Sequence, residues 1–430
     1  MRHRDYLKLA IPLMISTITQ PILGAVDTAV VGHLNDTRYI GGVAIGAVVF
    51  NTIYWLFGFL RVSTSGYTAQ ADGMQSREAL QLAYLRPIIL AGVISVLIIL
   101  GQWFLGEAVQ WIYKSDEQAL IHAMTYFKIL IWGAPFVLIG YVNLGWLMGY
   151  KRIKETLFLQ ISANILNIVL DVLFVIYLDM KVAGVAYATL ISQVYAFILG
   201  TALIYRHLDI KGISMQRIQL SSLKQVMLVN SDLMIRTICL LAMTNLFMSQ
   251  SAKFGSEVLA ANAVLYQVQY LISYLLDGFS NASSIFAGRY KGAQDSGGFE
   301  KLIKLSGGYA LSLAALSSVG ILLMGDSLFN LFTNLREVID ICLQYKIWLV
   351  VFPFSIAHGM IYYGLFTGST QTASVRNSMI LSLMVFALVL YVAVPKWGNH
   401  GLWLAFILFS LCRSIYLIGA SKRLIFSESN

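Results

Sequence analysis

The sequence predicts an all-α polytopic membrane protein of twelve transmembrane helices, arranged as two pseudo-symmetric bundles of six. Three observations carry that prediction. Of 430 residues, 58% are apolar and only 12% are charged, about half the charge of a typical soluble domain. Mean hydropathy, at +0.72, points the same way. The apolar residues run in long blocks, unlike the short alternating segments of an outer-membrane barrel. The chain also repeats itself about its midpoint. Composition excludes a soluble protein of this length, which would need polar surfaces over two or three domains.

Cutting at polar clusters gives spans over 6–32, 40–68, 81–105, 120–146, 153–178, 182–206, 222–252, 257–287, 303–325, 337–363, 371–395 and 399–421. Each reaches the ~20 residues that a bilayer needs. Arg2-His3-Arg4 precedes an apolar stretch too long for a signal peptide and without a small-residue cleavage site, so the first span is expected to stay uncleaved. The seventh is weakest at its start, where Asn230, Ser231, Asp232 and Arg236 intrude. No connection is long enough for a soluble domain. The longest polar one, 207–221, is expected to link an N-terminal lobe, 1–206, to a C-terminal lobe, 222–430.

Lys and Arg set the orientation. Nineteen fall on the side of the two termini and six on the other, which places both termini in the cytoplasm. The same asymmetry explains the net charge of +9 without nucleic acid as a partner. Cys239, Cys342 and Cys412 are odd in number and set in apolar runs, so neither a disulfide framework nor a metal site follows.

The internal repeat appears as three matches in the same order. Gly58-Phe59 and Gly73 correspond to Gly278-Phe279 and Gly292; Trp132, Pro135 and Gly149 to Trp348, Pro353 and Gly368; Gly184 to Gly401, at offsets near 217 to 219. Two six-helix halves starting on the same side are related by an axis along the membrane normal, a plan shared by many secondary transporters.

One stretch makes a resemblance specific. Gly149-Tyr150-Lys151-Arg152, then Asn164 and Asn167-Ile168-Val169-Leu170-Asp171, then Ala183 to Thr189, resembles the fifth and sixth helices of multidrug and toxic compound extrusion (MATE) transporters. The first helix, with Pro21, Asp27 and Gly32-His33, is similar to the DinF branch. The resemblance runs from the first helix to the last. It implies a V-shaped pair of bundles that exports small organic, often cationic, drug-like compounds against entry of protons or sodium. A cell-membrane (inner-membrane) location, a monomer and no cofactor are expected with it.

A charge at the bilayer centre costs at least ~2.5–3.5 kcal/mol, so intramembrane ionisable groups are functional candidates. Asp27 and Asp171 lie at similar depth in spans 1 and 5. Gln160, Asn164, Asn167 and Asp171 follow i, i+4, i+7, i+11 spacing and share one helical face, which must turn toward a cavity or protein. Desolvation and mutual repulsion both disfavour a second ionised carboxylate, so the pair can hold a proton. It can equally share sodium with amide and hydroxyl oxygens. By resemblance, Asp27, Asn167, Asp171 and Thr189 form the coupling site; the alternative is that each Asp only caps or pairs with a neighbouring helix. Gln160, Asn164, Asn51 and Asn143 are candidates for the substrate cavity. Pro21 removes one backbone bond six residues before Asp27 and is expected to bend or break span 1, as a hinge or as a static kink. Arg61 and Asp277, at roughly equivalent places in the two halves, are candidates for a gating ion pair, with headgroup snorkelling and vestibule water as the alternative.

Spans 10 and 11 have no mid-membrane carboxylate, and Asn245 stands opposite Asp27 in the repeat, so coupling is expected in the N-terminal half alone. No HExxH, CxxC, GxSxG or Walker motif points to an enzyme or a primary pump. Two carboxylates with few other hard ligands favour protons over sodium. A lipid-linked precursor flippase of the same superfamily is the alternative. It is disfavoured because Arg61, Arg236 and Arg413 do not cluster in sequence. Orientation is testable directly: green fluorescent protein fused after 430 should fluoresce, and alkaline phosphatase fused within 207–221 should stay inactive.

Overall fold

The computed structural model describes residues 2–32, 37–112, 117–208 and 220–424; the side chains of 19–32, 37, 38, 40, 117, 118, 220–222 and 423 lie outside that description. Among the described residues there is no strand. The first half contains α1 (His3–Gly32), α2 (Thr37–Leu56), α3 (Phe59–Gly73), α4 (Arg77–Leu100), α5 (Gln102–Ile112), α6 (Glu117–Leu130), α7 (Ala134–Gly149), α8 (Ile153–Asp171) and α9 (Lys181–Tyr205). The second contains α10 (Leu220–Ala252), α11 (Ser256–Gly292), α12 (Ser296–Asn330), α13 (Arg336–Gly368), α14 (Ala373–Trp397) and α15 (Asn399–Gly419).

Eleven helical segments among the described residues, from Gly41–Gly73 onward, are long and apolar enough to cross a membrane. The 30-residue α1 precedes them. Twelve spans result, each within a few residues of its expected position. Helices such as α11 and α12 outrun the apolar stretch because polar residues at the ends continue the same backbone hydrogen bonding. α1 is helical on both sides of Pro21, without a break there; a transmembrane helix tolerates the single bond that proline removes.

The chain divides into two compact units, Met1–Ile18 with Ser231–Asn430, and Thr19–Asn230. The first eighteen residues thus belong with the second half. Tyr6 stacks on Phe279, with centroids 5.9 Å apart, and its hydroxyl donates to the Phe279 carbonyl at 3.1 Å. Met14 fills the space beside Gly278, and the Thr17 hydroxyl reaches the Tyr274 carbonyl at 2.9 Å.

The repeat is written into the backbone of both units. In the N-terminal half, Gly145 and Gly149 of α7 lie on the carbonyls of Arg61 and Ser65 of α3. In the C-terminal half, Gly364 and Gly368 of α13 lie on the carbonyls of Ser280 and Ser284 of α11. Each of these four residues has its counterpart 219 positions on. A Cβ at any of the glycines would collide with main chain, so only glycine allows the approach. This is the small-residue contact by which membrane helices pack without help from the hydrophobic effect.

The turns repeat as well. Gln75 and Gln294 end α3 and α11 at φ 53°, and Lys151 and Thr370 follow α7 and α13 at 61° and 54°. After each, an amide reaches back five residues, as from Ser76 to the Ala71 carbonyl at 3.3 Å and from Asp295 to the Tyr290 carbonyl at 2.9 Å, the bond of a Schellman stop. Ser76 and Asp295 then cap the next helix, accepting from the amides of Ala79 and Gly298.

Asn230 and Asp232, at the polar start of the seventh span, are satisfied within the fold. Asp232 accepts from Arg376 at 2.7 Å and from Thr372 at 2.8 Å, and Asn230 accepts from Ser63 at 2.6 Å. Farther along, Asn262 bonds to Ser251, Asn399 and Trp403, joining α10, α11 and α15. Gly368→Val should force α11 and α13 apart and lower the thermal midpoint in detergent by an overpacking cost of about 1–3 kcal/mol or more. Gly308→Ala, at a position with open space beside it, should leave the midpoint within the scatter of repeats.

Candidate functional site

The two halves share a scaffold but differ in regularity. α2 and α3 are separated by a turn at Phe57–Gly58, and a 3₁₀ turn, Ile131–Gly133, separates α6 from α7 just before Pro135. After Asp171, α8 widens into a π-turn, Val172–Tyr177. The matching α11 and α13 run continuously, α13 with Pro353 inside it. Broken helices at membrane depth are tolerated where protein or a cavity meets the freed groups, and π-turns often occur at functional sites. Irregular backbone thus singles out the N-terminal half.

The predicted polar face of α8 turns inward. Asp171 is 1% exposed and Asn167 5%, while Ile161, Ile165 and Val169 on the other side are exposed. Gln160 and Asn164, toward the start of the helix, are half-buried. Spacing alone found this face because polar residues at one angular position stand out in an apolar helix. The Nδ2 of Asn167 is buried without a hydrogen-bond partner among the described residues. Helix α9 packs on α8 and its π-turn, with Gly184 against Phe174. Thr189 is half-buried on α9, its hydroxyl donating to the Val185 carbonyl at 3.0 Å.

One turn on, Gln193 was not singled out by sequence. Its Oε1 is buried without a partner among the described residues and lies against Gly133 of the 3₁₀ turn. Its signal was the i, i+4 relation to Thr189. An orphan donor on α8 and an orphan acceptor on α9 mark unsatisfied polar capacity inside this unit. Asp27 and Pro21 lie on α1, and their side chains fall outside the described residues. Among the described residues no group of three or more His, Cys, Asp or Glu is placed to hold a metal.

Other candidates stand elsewhere. Asn143 is fully buried; it accepts from the Tyr84 hydroxyl at 2.8 Å and donates to Thr201 at 3.1 Å, a bracket tying α7 to α4 and α9. Asn51 is exposed on α2. Arg61 is half-buried, within electrostatic reach of Tyr141. Asp277 accepts from Asn281 at 3.0 Å and is within electrostatic reach of Arg413. Asn245 is exposed and bonded to its own helix.

The arginines depart from the sequence reading. Arg236 and Arg413, far apart in the chain, converge on one ring: their guanidinium carbons lie 4.2 and 5.6 Å from the centroid of Tyr363. Lack of clustering in sequence therefore does not argue against an anionic substrate.

The MatE family model matches twice, over residues 12–173 and 233–392, once in each half. The chain belongs to the MatE family. Across 418 residues it is 34% identical to the DNA damage-inducible protein F of Escherichia coli (strain K12), covering 96% of this chain and 91% of that protein. A probable multidrug resistance protein NorM from Photorhabdus laumondii is 24% identical over 431 residues, 96% of this chain and 94% of its own. Among solved structures, an outward-facing multidrug resistance MATE family transporter of the MOP superfamily superposes with a TM-score of 0.87 at 20% identity, over 98% of this chain and 96% of that one. This MatE protein thus shares the fold of that transporter across nearly its whole length.

Asn143→Leu separates packing from cavity lining. It removes the bonds to Tyr84 and Thr201 and should destabilise the protein by about 1–3 kcal/mol for the two, read as a lower thermal midpoint, with substrate affinity unchanged.

Proposed function

We propose that this MatE protein is a secondary active exporter of hydrophobic or cationic organic compounds that takes up protons in exchange, by alternating access in the cell membrane. Membership of a transporter family supports export. The observation that carries the coupling assignment is the buried polar face of α8, which ends in Asp171 where the helix widens into a π-turn. Asn167, Thr189 and, on α1, Asp27 are assigned to the same coupling site. Gln160 and Asn164, half-buried on that face, are assigned to substrate.

A carboxylate inside apolar protein is easier to hold protonated than ionised. A proton can drive the cycle only through different affinities of that carboxylate in the two states. Protonation from the outside would favour the state that releases substrate, and loss of the proton to the cytoplasm would favour reloading. Two carboxylates with few other hard oxygen ligands favour a proton over sodium, whose shell would need Asn167 and Thr189 as well. Pro21 is assigned as a hinge for α1, and Arg61 and Asp277 as charged elements of the gating cycle.

Ethidium efflux from liposomes holding the purified protein tests this reading. An imposed pH gradient alone should drive efflux, and Asp171→Asn should reduce it at least tenfold, the scale of a coupling term of ~1.4 kcal/mol. Dependence on an imposed sodium gradient would replace the proton with sodium at the same residues. Full pH-driven efflux by Asp171→Asn would remove Asp171 from the coupling site.

A further inference from the structure

The C-terminal unit holds charge that the coupling reading does not use. Arg413 lies on α15, six residues before its end, and is 3% exposed. Its Nε has no hydrogen-bond partner among the described residues, and its Nη2 meets only the Met360 sulfur, at 3.4 Å. A thioether is a weak acceptor. Arg236, half-buried on α10, lies over the face of Tyr363 on α13, and its Nε is likewise unpartnered. No salt bridge among the described residues reaches either guanidinium. Arg376, on the same unit, shows the contrast, since it is paired with Asp232.

A ring face and a thioether are poor replacements for the water that a guanidinium loses on burial. Two such cations held around one ring also repel each other. The acidic group within electrostatic reach of Arg413 is Asp277, already engaged by Asn281. Two guanidiniums against one carboxylate leave one positive charge unbalanced in a low-dielectric setting. Buried charges without partners in a membrane helix bundle are functional candidates, and the planar fork of arginine matches the two oxygens of a carboxylate or phosphate.

We propose that Arg236 and Arg413, flanking Tyr363, form a binding site for the singly charged anionic head group of an amphiphile, a carboxylate or a phosphodiester. The remaining charge fits one negative charge. The surroundings are apolar: Met360 is 6% exposed, and Cys239 and Met243, one and two turns along α10 from Arg236, are 6% and 3% exposed. An apolar body attached to the anion suits them. Tyr363 positions both guanidiniums and offers its ring edge to the ligand. The site rests on the export reading only for what becomes of the ligand; binding itself does not depend on it.

The test uses the full-length protein in phosphatidylcholine vesicles, with dansyl-labelled undecanoate and its uncharged methyl ester as probes. The carboxylate should bind about tenfold more tightly than the ester, an energy scale of one charge-assisted hydrogen bond or more. That comparison needs no variant, so a misfolded mutant cannot obscure it. Arg413→Gln and Arg236→Gln, each checked by its elution profile, should erase the preference, and Arg413→Lys should restore part of it. Equal binding of carboxylate and ester by the wild-type protein overturns the proposal.

Two further arms identify the source. Displacement of the probe by added phosphatidylglycerol, without gradient-driven movement of the probe, assigns the site to a lipid head group. Gradient-driven efflux of the carboxylate, lost in Arg413→Gln, assigns it to transported anions. Ethidium efflux measured in the same vesicles tests export independently, so failure of export and failure of the anion site give different results.

Discussion

Helices in a membrane gain little from leaving lipid for one another, so their association depends on how closely their backbones approach. In this protein that approach is made by four glycines. Gly145 and Gly149 seat α7 on α3, and Gly364 and Gly368 seat α13 on α11. Much else hangs on these seats. Asn143, two residues before Gly145, brackets α4 and α9 to the same helix. Tyr363 immediately precedes Gly364, and the Ser280 hydroxyl bonds the Met360 carbonyl at 2.7 Å. The ring between the two arginines is therefore held in place by the helix contact next to it.

Helix positions were largely legible in the sequence, because apolar length and polar breaks decide them locally. The repeat was legible only through Gly, Pro and Trp at common offsets. Its physical content, glycine on carbonyl and left-handed turns at Gln75 and Gln294, needs two helices at once. The α8 face was readable because Gln160, Asn164, Asn167 and Asp171 lie on one element. Gln193 was not, since its significance comes from Gly133 on another. Asn143 shows the opposite limit: a bracketing asparagine and a cavity-lining one have the same side chain. Asp232 weakened the seventh span on paper because its partners, Thr372 and Arg376, arrive 140 or more residues later.

The duplicated scaffold carries unlike contents. One half has interrupted helices and a buried carboxylate on α8; the other has continuous helices and a buried guanidinium on α15. Identical backbone seats leave side chains nearby free to differ, since the seats consist of main chain and glycine. Asn245 in place of an acid, and Arg413 without a salt bridge among the described residues, are two instances of that freedom.

The docking of α1 also bears on how the protein is made. Tyr6 bonds a carbonyl 273 residues ahead of it, and His3 meets Tyr309 across 306. Residues 3–18 are therefore synthesised well before the α11 and α12 residues that they dock on. Until then those residues sit against lipid or assembly factors, and their seat forms only after the first half has been made. Contacts of such separation are slow to form and exposed to error. A shortened chain that ended before α11 would keep its first helix but never give its beginning a place to bind.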